Sequence, residues 1–244
     1  MKVSLIDYQK NADRLLVFTK GVRFGATAGR WAEVNMISEE EIRKELAYMA
    51  ETIPSSWEFA GYTFCIEGVS RAFTHQFVRN RHGSYAQESL RVVEKANIVD
   101  QFVWPERLAA KEEDACRLFA IGLLKNITSD IATMKGAGVA TEDLRAFLPT
   151  NISTNIVAKF NLRTLSELAK SRTGGRTQGE YVGVMNAMID EVLAVHPWAD
   201  VFLAPKGRDY FAEIEAFAER EYGGDLLKKG ELLKIVDKMR KESK

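Results

Sequence analysis

Cysteine, histidine and net charge are what this 244-residue sequence has least of. Its two cysteines, Cys65 and Cys116, lack the paired spacing of a metal or redox site. Both lie in apolar surroundings, so buried, reduced thiols in a cytoplasmic setting are expected rather than a disulfide. With only three histidines, a histidine-rich metal centre is not expected. Thirty-four basic residues balance thirty-four acidic ones, so no global field draws nucleic acid or a membrane, and any anion site must come from local clustering. The longest apolar run, Leu118 to Leu124, falls far short of the roughly 20 residues that span a bilayer. Residues 1–19 have no apolar core followed by a small-residue cleavage site, so no secretory signal is expected. Neither a Gly-x-Gly-x-x-Gly turn after a strand nor a P-loop lysine is present, which removes the common nucleotide folds. A protein nucleophile is also missing: Cys65 falls in an expected strand with no histidine nearby, and Cys116 falls inside an expected long helix.

What is present is an ordinary globular composition, 46% hydrophobic and 28% charged, on a chain long enough to bury one large core. Lys2 to Ile6 reads as a short strand, and residues 13–18 as a helix giving way to a glycine-rich loop. Ser38 with Glu41 forms a capping-box pattern that opens a helix running to about Ala50. Pro54 breaks it, and Trp57 to Glu67 alternates well enough for a strand, through Phe59, Tyr62, Phe64 and Ile66. Val69 to Val78 reads as a short helix, Val92 to Trp104 as irregular. Pro105 stands in the first turn of a helix of about 30 residues, Glu106 to Lys135, with a stripe through Leu118, Phe119, Leu123, Ile127 and Ile131. Thr141 caps a short helix carrying Arg145, and Ser153 to Phe160 is an expected strand. Asn161 caps a helix through Leu168, which loosens at Thr173–Gly175. Thr177 starts a further helix whose apolar face holds Tyr181, Val184, Met185, Met188, Ile189, Val192 and Leu193. Residues 198–203 read as a connector, and two amphipathic helices, about 208–220 and 225–242, close the chain. The pattern predicts one α+β domain dominated by helices, with the lysine-rich tail a solvated helix face.

Chemistry concentrates in Arg79 to Arg91, which packs three arginines, a histidine, two serines and a tyrosine around one carboxylate, Glu88. Arginine suits planar anions because its fixed fork matches two oxygens at once. A second cluster follows much later: Arg163, Glu167, Arg172, Arg176, Gln178 and Glu180, with Arg145 before it. Each cluster reads either as an anion site or as a charged face paired to acids elsewhere.

The order of these residues resembles the flavin-dependent thymidylate synthase family. That family's signature is Arg-His-Arg with a serine after seven further residues, and here stand Arg79-Asn80-Arg81 and Ser89, with Arg91 two beyond. Other segments follow in register over roughly residues 10–205: Arg145 before Leu148-Pro149, Asn161-Leu162-Arg163-Thr164-Leu165, Arg172 before a short loop, and Gln178 and Glu180 at a helix start. The resemblance implies the family's α+β fold, helix-rich around a small central antiparallel sheet. It also implies a catalytic domain over residues 1–205 and a C-terminal helical extension, 206–244, packed on that domain. The implied activity is FAD-dependent methylation of deoxyuridylate at C5, with methylenetetrahydrofolate as carbon donor and NADPH as reductant, in a cytoplasmic homotetramer. Nucleic-acid and membrane partners are not expected. By position, Gln76, Arg79, Gln87, Ser89, Arg91, Arg145 and Arg172 would hold the nucleotide, Arg172 being catalytic by favouring ionisation of the pyrimidine. FAD would lie against Ser55, Arg79, Asn80, Arg81, Asn161, Arg163 and Glu167.

Some positions depart from the pattern. Asn80 replaces the signature histidine, Val92 a tyrosine, Ile53 a histidine, and Glu167 and Arg176 an asparagine and a histidine. Two other readings therefore stay open: a hydroxymethylase acting on deoxyuridylate or deoxycytidylate, and a non-catalytic nucleotide or nucleic-acid binding module.

Overall fold

A computed structural model describes residues 1–109, 115–172, 179–203, 214, 217, 218, 220, 222 and 226–242. The chain divides into two compact units, Met1–Leu203 and Ala204–Lys244. In the second, the described helix runs Leu226–Glu242; most of the expected helix at 208–220 lies outside the described residues.

The first unit is built on a four-stranded antiparallel sheet with strand order β1-β2-β4-β3. Strand β1 (Lys2–Tyr8) precedes helix α1 (Ala12–Val22), the single turn α2 (Trp31–Val34) and helix α3 (Glu39–Thr52). The Ser38–Glu41 capping box forms as its spacing predicts, Ser38 Oγ accepting from the Glu41 amide. Strand β2 differs from expectation. Pro54–Phe59 is a 3₁₀ turn, and the strand runs Gly61–Ser70. Trp57 turns into the core and donates its indole N–H to the Met49 carbonyl at 3.0 Å, while Phe59 stays exposed. Pro54 suits the first position of such a turn but commits the following residues away from the sheet.

The alternation that holds is Tyr62, Phe64 and Ile66, all fully buried. They pair across β4 (Ser153–Asn161), which presents Ile156, Ala158 and Phe160 to the same side. Burying each large side chain contributes about 1.5–3 kcal/mol, so this face decides the register. The helices α8 (Leu162–Arg172), α9 (Gly179–Val195) and α10 (Asp200–Leu203) complete the core around it. The α9 stripe is buried from Tyr181 to Val192. Residues 200–203, expected as a connector, coil into α10 because Phe202 and Leu203 are apolar enough to be drawn inside. Helix α8 continues beyond Leu168 to Arg172.

Between β2 and β4 the chain forms α4 (Arg71–Phe77), strand β3 (Ser84–Gln87), α5 (Glu106–Ala109), α6 (Ala115–Gly136) and the one-turn α7 (Thr141–Leu144). β3 is an element the sequence analysis does not assign: Ser-Tyr-Ala-Gln has no strand signal of its own and is extended because it pairs with β4, Tyr85 opposite Ala158. Ala140 occupies the cap position assigned to Thr141. The α6 stripe is split: Ile127 and Ile131 pack with Leu124, the helix's one buried residue, against a second cluster of Leu90, Ile98 and Ile152, while Leu118, Phe119 and Leu123 are exposed by 58%, 78% and 53%. Cys116 on α6 is exposed and Cys65 half-buried, so neither is the buried thiol that composition suggested.

Candidate functional site

The signature residues are set by α4 and the turn that follows it. Ser70 is fully buried and caps α4, its hydroxyl oxygen accepting from the Phe73 amide at 3.0 Å. Ser70 in turn donates its amide and its hydroxyl to the two oxygens of Glu180, at 2.7 and 2.6 Å. That contact ties the start of α4 to the first turn of α9. Phe73, Thr74 and Phe77 face inward, which leaves Gln76 and Arg79 outward-facing. The turn from Arg79 to Gly83 is held from below by the Tyr85 hydroxyl, 2.8 Å from the Asn80 carbonyl oxygen and 3.1 Å from that of Phe77. Asn80 Oδ1 accepts from the His82 amide at 3.1 Å, so this side chain serves its own turn. Gly83 fits where no other residue does: a Cβ there would stand 2.5 Å from the Phe160 ring and 2.6 Å from the Tyr85 oxygen.

Facing this turn is the end of α8. Gln76, Arg79 and Asn80 line a cleft of about 360 Å³ together with Glu167, Leu168, Ser171, Arg172 and Tyr181. The Arg172 guanidinium lies over the Tyr181 ring, 5.3 Å from its centroid, and its Nε is buried without a hydrogen-bond partner. Burial raises the Tyr181 phenol above its ordinary value, and Arg172 opposes that in part. Neither cysteine lines the cleft. Among the described residues, no group of histidines, cysteines and acids could hold a metal.

The remaining residues assigned to a nucleotide form a second set at the far end of β3. Gln87 donates to the Thr74 hydroxyl at 2.9 Å, and Ser89 Oγ accepts from the Arg91 amide at 3.3 Å. Arg91 pairs with Glu142 at 2.8 Å, and Arg145 begins the 3₁₀ turn Arg145–Phe147. Arg71 joins them, a residue the sequence did not single out. It donates to the Glu88 carbonyl at 3.3 Å. Burial lowers its pKa; Glu88, itself paired with Lys95, opposes this, and neighbouring Arg145 adds to it. The missed signal was an arginine in the first turn of a helix, where the macrodipole disfavours a cation.

The residues assigned to a cofactor are more dispersed. Asn161 accepts from the Thr164 amide at 2.8 Å, the expected helix cap, and lines a hollow of about 450 Å³ with Tyr8, Glu58, His82, Ser84 and Lys159. Arg163 is exposed and bonded to Glu58 at 2.9 Å and Glu167 at 3.3 Å, the paired reading that the sequence left open. Ser55 accepts from the Arg23 guanidinium, and Arg81 is exposed. Arg176 and Gln178 lie outside the described residues. One chain therefore gathers Gln76, Arg79, Asn80, Glu167 and Arg172 in a cleft. It sets Gln87, Ser89, Arg91 and Arg145 in a second cluster and leaves Ser55, Arg81 and Arg163 outside both.

Residues 4–198 match the family model described as thymidylate synthase complementing protein. The flavin-dependent thymidylate synthase of Sulfolobus acidocaldarius is 30% identical over 207 residues, covering 81% of this chain and 74% of that protein. That of Pyrococcus furiosus is 31% identical, covering 79% of each. Among solved structures, thymidylate synthase X from Helicobacter pylori with FAD and dUMP superposes with a TM-score of 0.62 at 16% identity, over 83% of this chain and 97% of that one. A UMP/dUMP methylase, PolB, from Streptomyces cacaoi bound with 5-Br dUMP gives 0.67 at 18% identity, over 83% and 94%. At such identities the structural likeness establishes the fold, the helix-rich α+β arrangement around a small antiparallel sheet.

Proposed function

The chain belongs to the thymidylate synthase complementing protein family, the flavin-dependent thymidylate synthases, and from that premise we propose that it methylates deoxyuridylate reductively at C5, with FAD bound, methylenetetrahydrofolate as carbon donor and NADPH as reductant. The observation that carries this reading is Arg172: a guanidinium at a cleft wall with one nitrogen buried and unpartnered. A buried donor without an acceptor costs about 1–3 kcal/mol, and a ligand carbonyl or anion at that position removes the cost. Held beside a pyrimidine, this fixed cation favours the ring's ionised form and so raises the nucleophilicity of C5. Gln76 and Arg79 supply further donors on the opposite wall. Arg145 and Arg91, with Ser89 and Gln87, form the phosphate-binding set, in which Arg71 is a partly buried second cation beside Arg145.

The donor set also fits a flavin dinucleotide. The rigid turn Arg79-Asn80-Arg81 offers two exposed guanidiniums to a diphosphate, and Asn161, having spent its oxygen on the helix cap, keeps its amide nitrogen as a donor. Arg163, Glu167 and Ser55 complete the proposed cofactor set, with Arg163 exchanging its carboxylate partners for the ligand. Bound FAD would supply the hydride that the chain lacks any group to provide. The protein's own residues then bind, orient and polarise.

In one copy these sets do not share a pocket, and α6 leaves Leu118, Phe119 and Leu123 exposed. Both facts support a homotetramer in which a second copy covers α6 and sites form between subunits. Replacing Phe119 by glutamate should then lower the assembly state in sedimentation. An unchanged mass would count against α6 as the contact. The test of the function is an absorbance spectrum of the purified protein followed by dUMP titration. A flavin spectrum perturbed by dUMP is expected; a colourless protein indifferent to added FAD would sink the proposal. Product mass separates methylation from hydroxymethylation, since a retained oxygen marks the latter.

A further inference from the structure

The unpartnered nitrogen of Arg172 raises the question of what holds that side chain in place. No acceptor bonds Nε, yet the guanidinium lies over the face of Tyr181 at 5.3 Å. A cation over an aromatic ring within about 6 Å is attracted by the ring's quadrupole, and more so where water is excluded. Tyr181 is itself immobilised. It is 1% exposed and meets Phe73 and Phe77 of α4 edge-on, with centroids 5.0 and 5.9 Å away. The preceding residue, Glu180, anchors the same turn of α9 to Ser70 at the start of α4. The ring is therefore fixed to the helix that carries Gln76 and Arg79, and Arg172 rests on that ring.

We infer that Tyr181 is the positioning residue of Arg172: its buried face carries the guanidinium and sets its place relative to Gln76 and Arg79, leaving Nε for a planar, carbonyl-bearing or anionic heterocycle. A carboxylate in this place would hold the guanidinium more tightly but would neutralise it and occupy its donors. An aromatic face, with the phenol oxygen beside it as a neutral acceptor, holds it without neutralising it and leaves Nε unspent. Burial raises the phenol's pKa against the opposing pull of Arg172, so the neutral side chain, ring and hydroxyl, and not a phenolate, acts on Arg172. The identity of the heterocycle rests on the function proposed above; the positioning itself does not.

Ligand-free crystal structures of Tyr181→Phe and Tyr181→Leu test the positioning directly. The guanidinium should keep its place in the phenylalanine variant and leave it in the leucine variant. A guanidinium unmoved by Tyr181→Leu overturns the inference, whatever the protein binds. Should that variant fail to fold, Tyr181→Met, unbranched and better able to fill the irregular space the ring leaves, takes its place. A dUMP titration then reads the consequence. Tyr181→Leu should weaken binding by about three- to thirtyfold in the parental background. It should have little effect in an Arg172→Ala background, while Tyr181→Phe restores binding. Equal losses in both backgrounds would mark a purely structural role and overturn the inference. A parental protein that ignores dUMP would overturn the proposed function, and the crystal structures would still decide the positioning.

Discussion

Arg163 in the first turn of α8 and Arg172 in its last carry the same group on the same helix. Arg163 stands at the end where the macrodipole repels a cation, exposed, and is held between Glu58 and Glu167. Arg172 stands at the end where the dipole favours a cation, is partly buried, rests on an aromatic ring and has a nitrogen without a partner. Among the described residues, the first is paired with carboxylates of its own chain and the second is not. A satisfied guanidinium must release partners before it binds anything, whereas an unsatisfied one in a cleft is organised for a ligand in advance.

The largest effect that could break this contrast is on turnover. Arg172→Ala should lower the rate of thymidylate formation by about 100- to 1000-fold while bound flavin stays close to the parental content. Parental activity in that variant would end the argument for pyrimidine activation. Next comes the wall opposite Arg172. Gly83→Ala drives a methyl group into Phe160 and Tyr85, and overpacking of this kind costs about 1–3 kcal/mol. Differential scanning calorimetry should find the melting temperature lowered by about 2–12 °C. Nucleotide affinity should fall as well, because the same turn carries Arg79; an unchanged melt and affinity would show that the turn adapts.

A smaller effect supplies the control for global stability. His196 is buried, with its Nδ1 3.1 Å from the Tyr62 hydroxyl, and burial lowers its pKa against the weaker pull of the Lys10 carbonyl and Asp13. The folded protein thus takes up this proton less readily than the unfolded chain. Stability is intact above the ordinary imidazole value, about 6.5, and declines as pH falls from there toward the lowered value. Urea midpoints should drop across that window and drop less in His196→Gln, separating acid loss of fold from loss at either arginine. The smallest effect belongs to Arg163. Its replacement by alanine should leave the melting temperature unmoved, since exposed ion pairs add little, yet should reduce flavin retained through gel filtration. Undiminished flavin would remove Arg163 from the cofactor set and sharpen the contrast with Arg172.

The sequence made some of this plain and left other parts invisible, for physical reasons. The Ser38–Glu41 box, the Asn161 cap and the alternation of Tyr62, Phe64 and Ile66 are local patterns, and each is found as the spacing predicts. Ser84–Gln87 has no such pattern and became a strand through its partner. The α6 stripe is amphipathic by spacing, but spacing cannot say whether the surface that covers it comes from the same chain. Nor does a list of arginines say which of them will find a carboxylate. Arg71 entered the anion cluster because the fold brings the start of α4 against the end of β3, and Tyr181 entered the cleft because α9 packs on α4.

Residue order alone was enough to determine the family, the helices with strong caps, the faces of the paired strands and the set of cations from which a site could be drawn. All of these depend on neighbours a few positions apart or on order along the chain. Tertiary structure alone decided which guanidinium is neutralised, which rests on a ring with a donor to spare, and which part of a stripe stays uncovered. Those outcomes depend on burial and on partners distant in sequence, and a partner's position is a property of the folded chain.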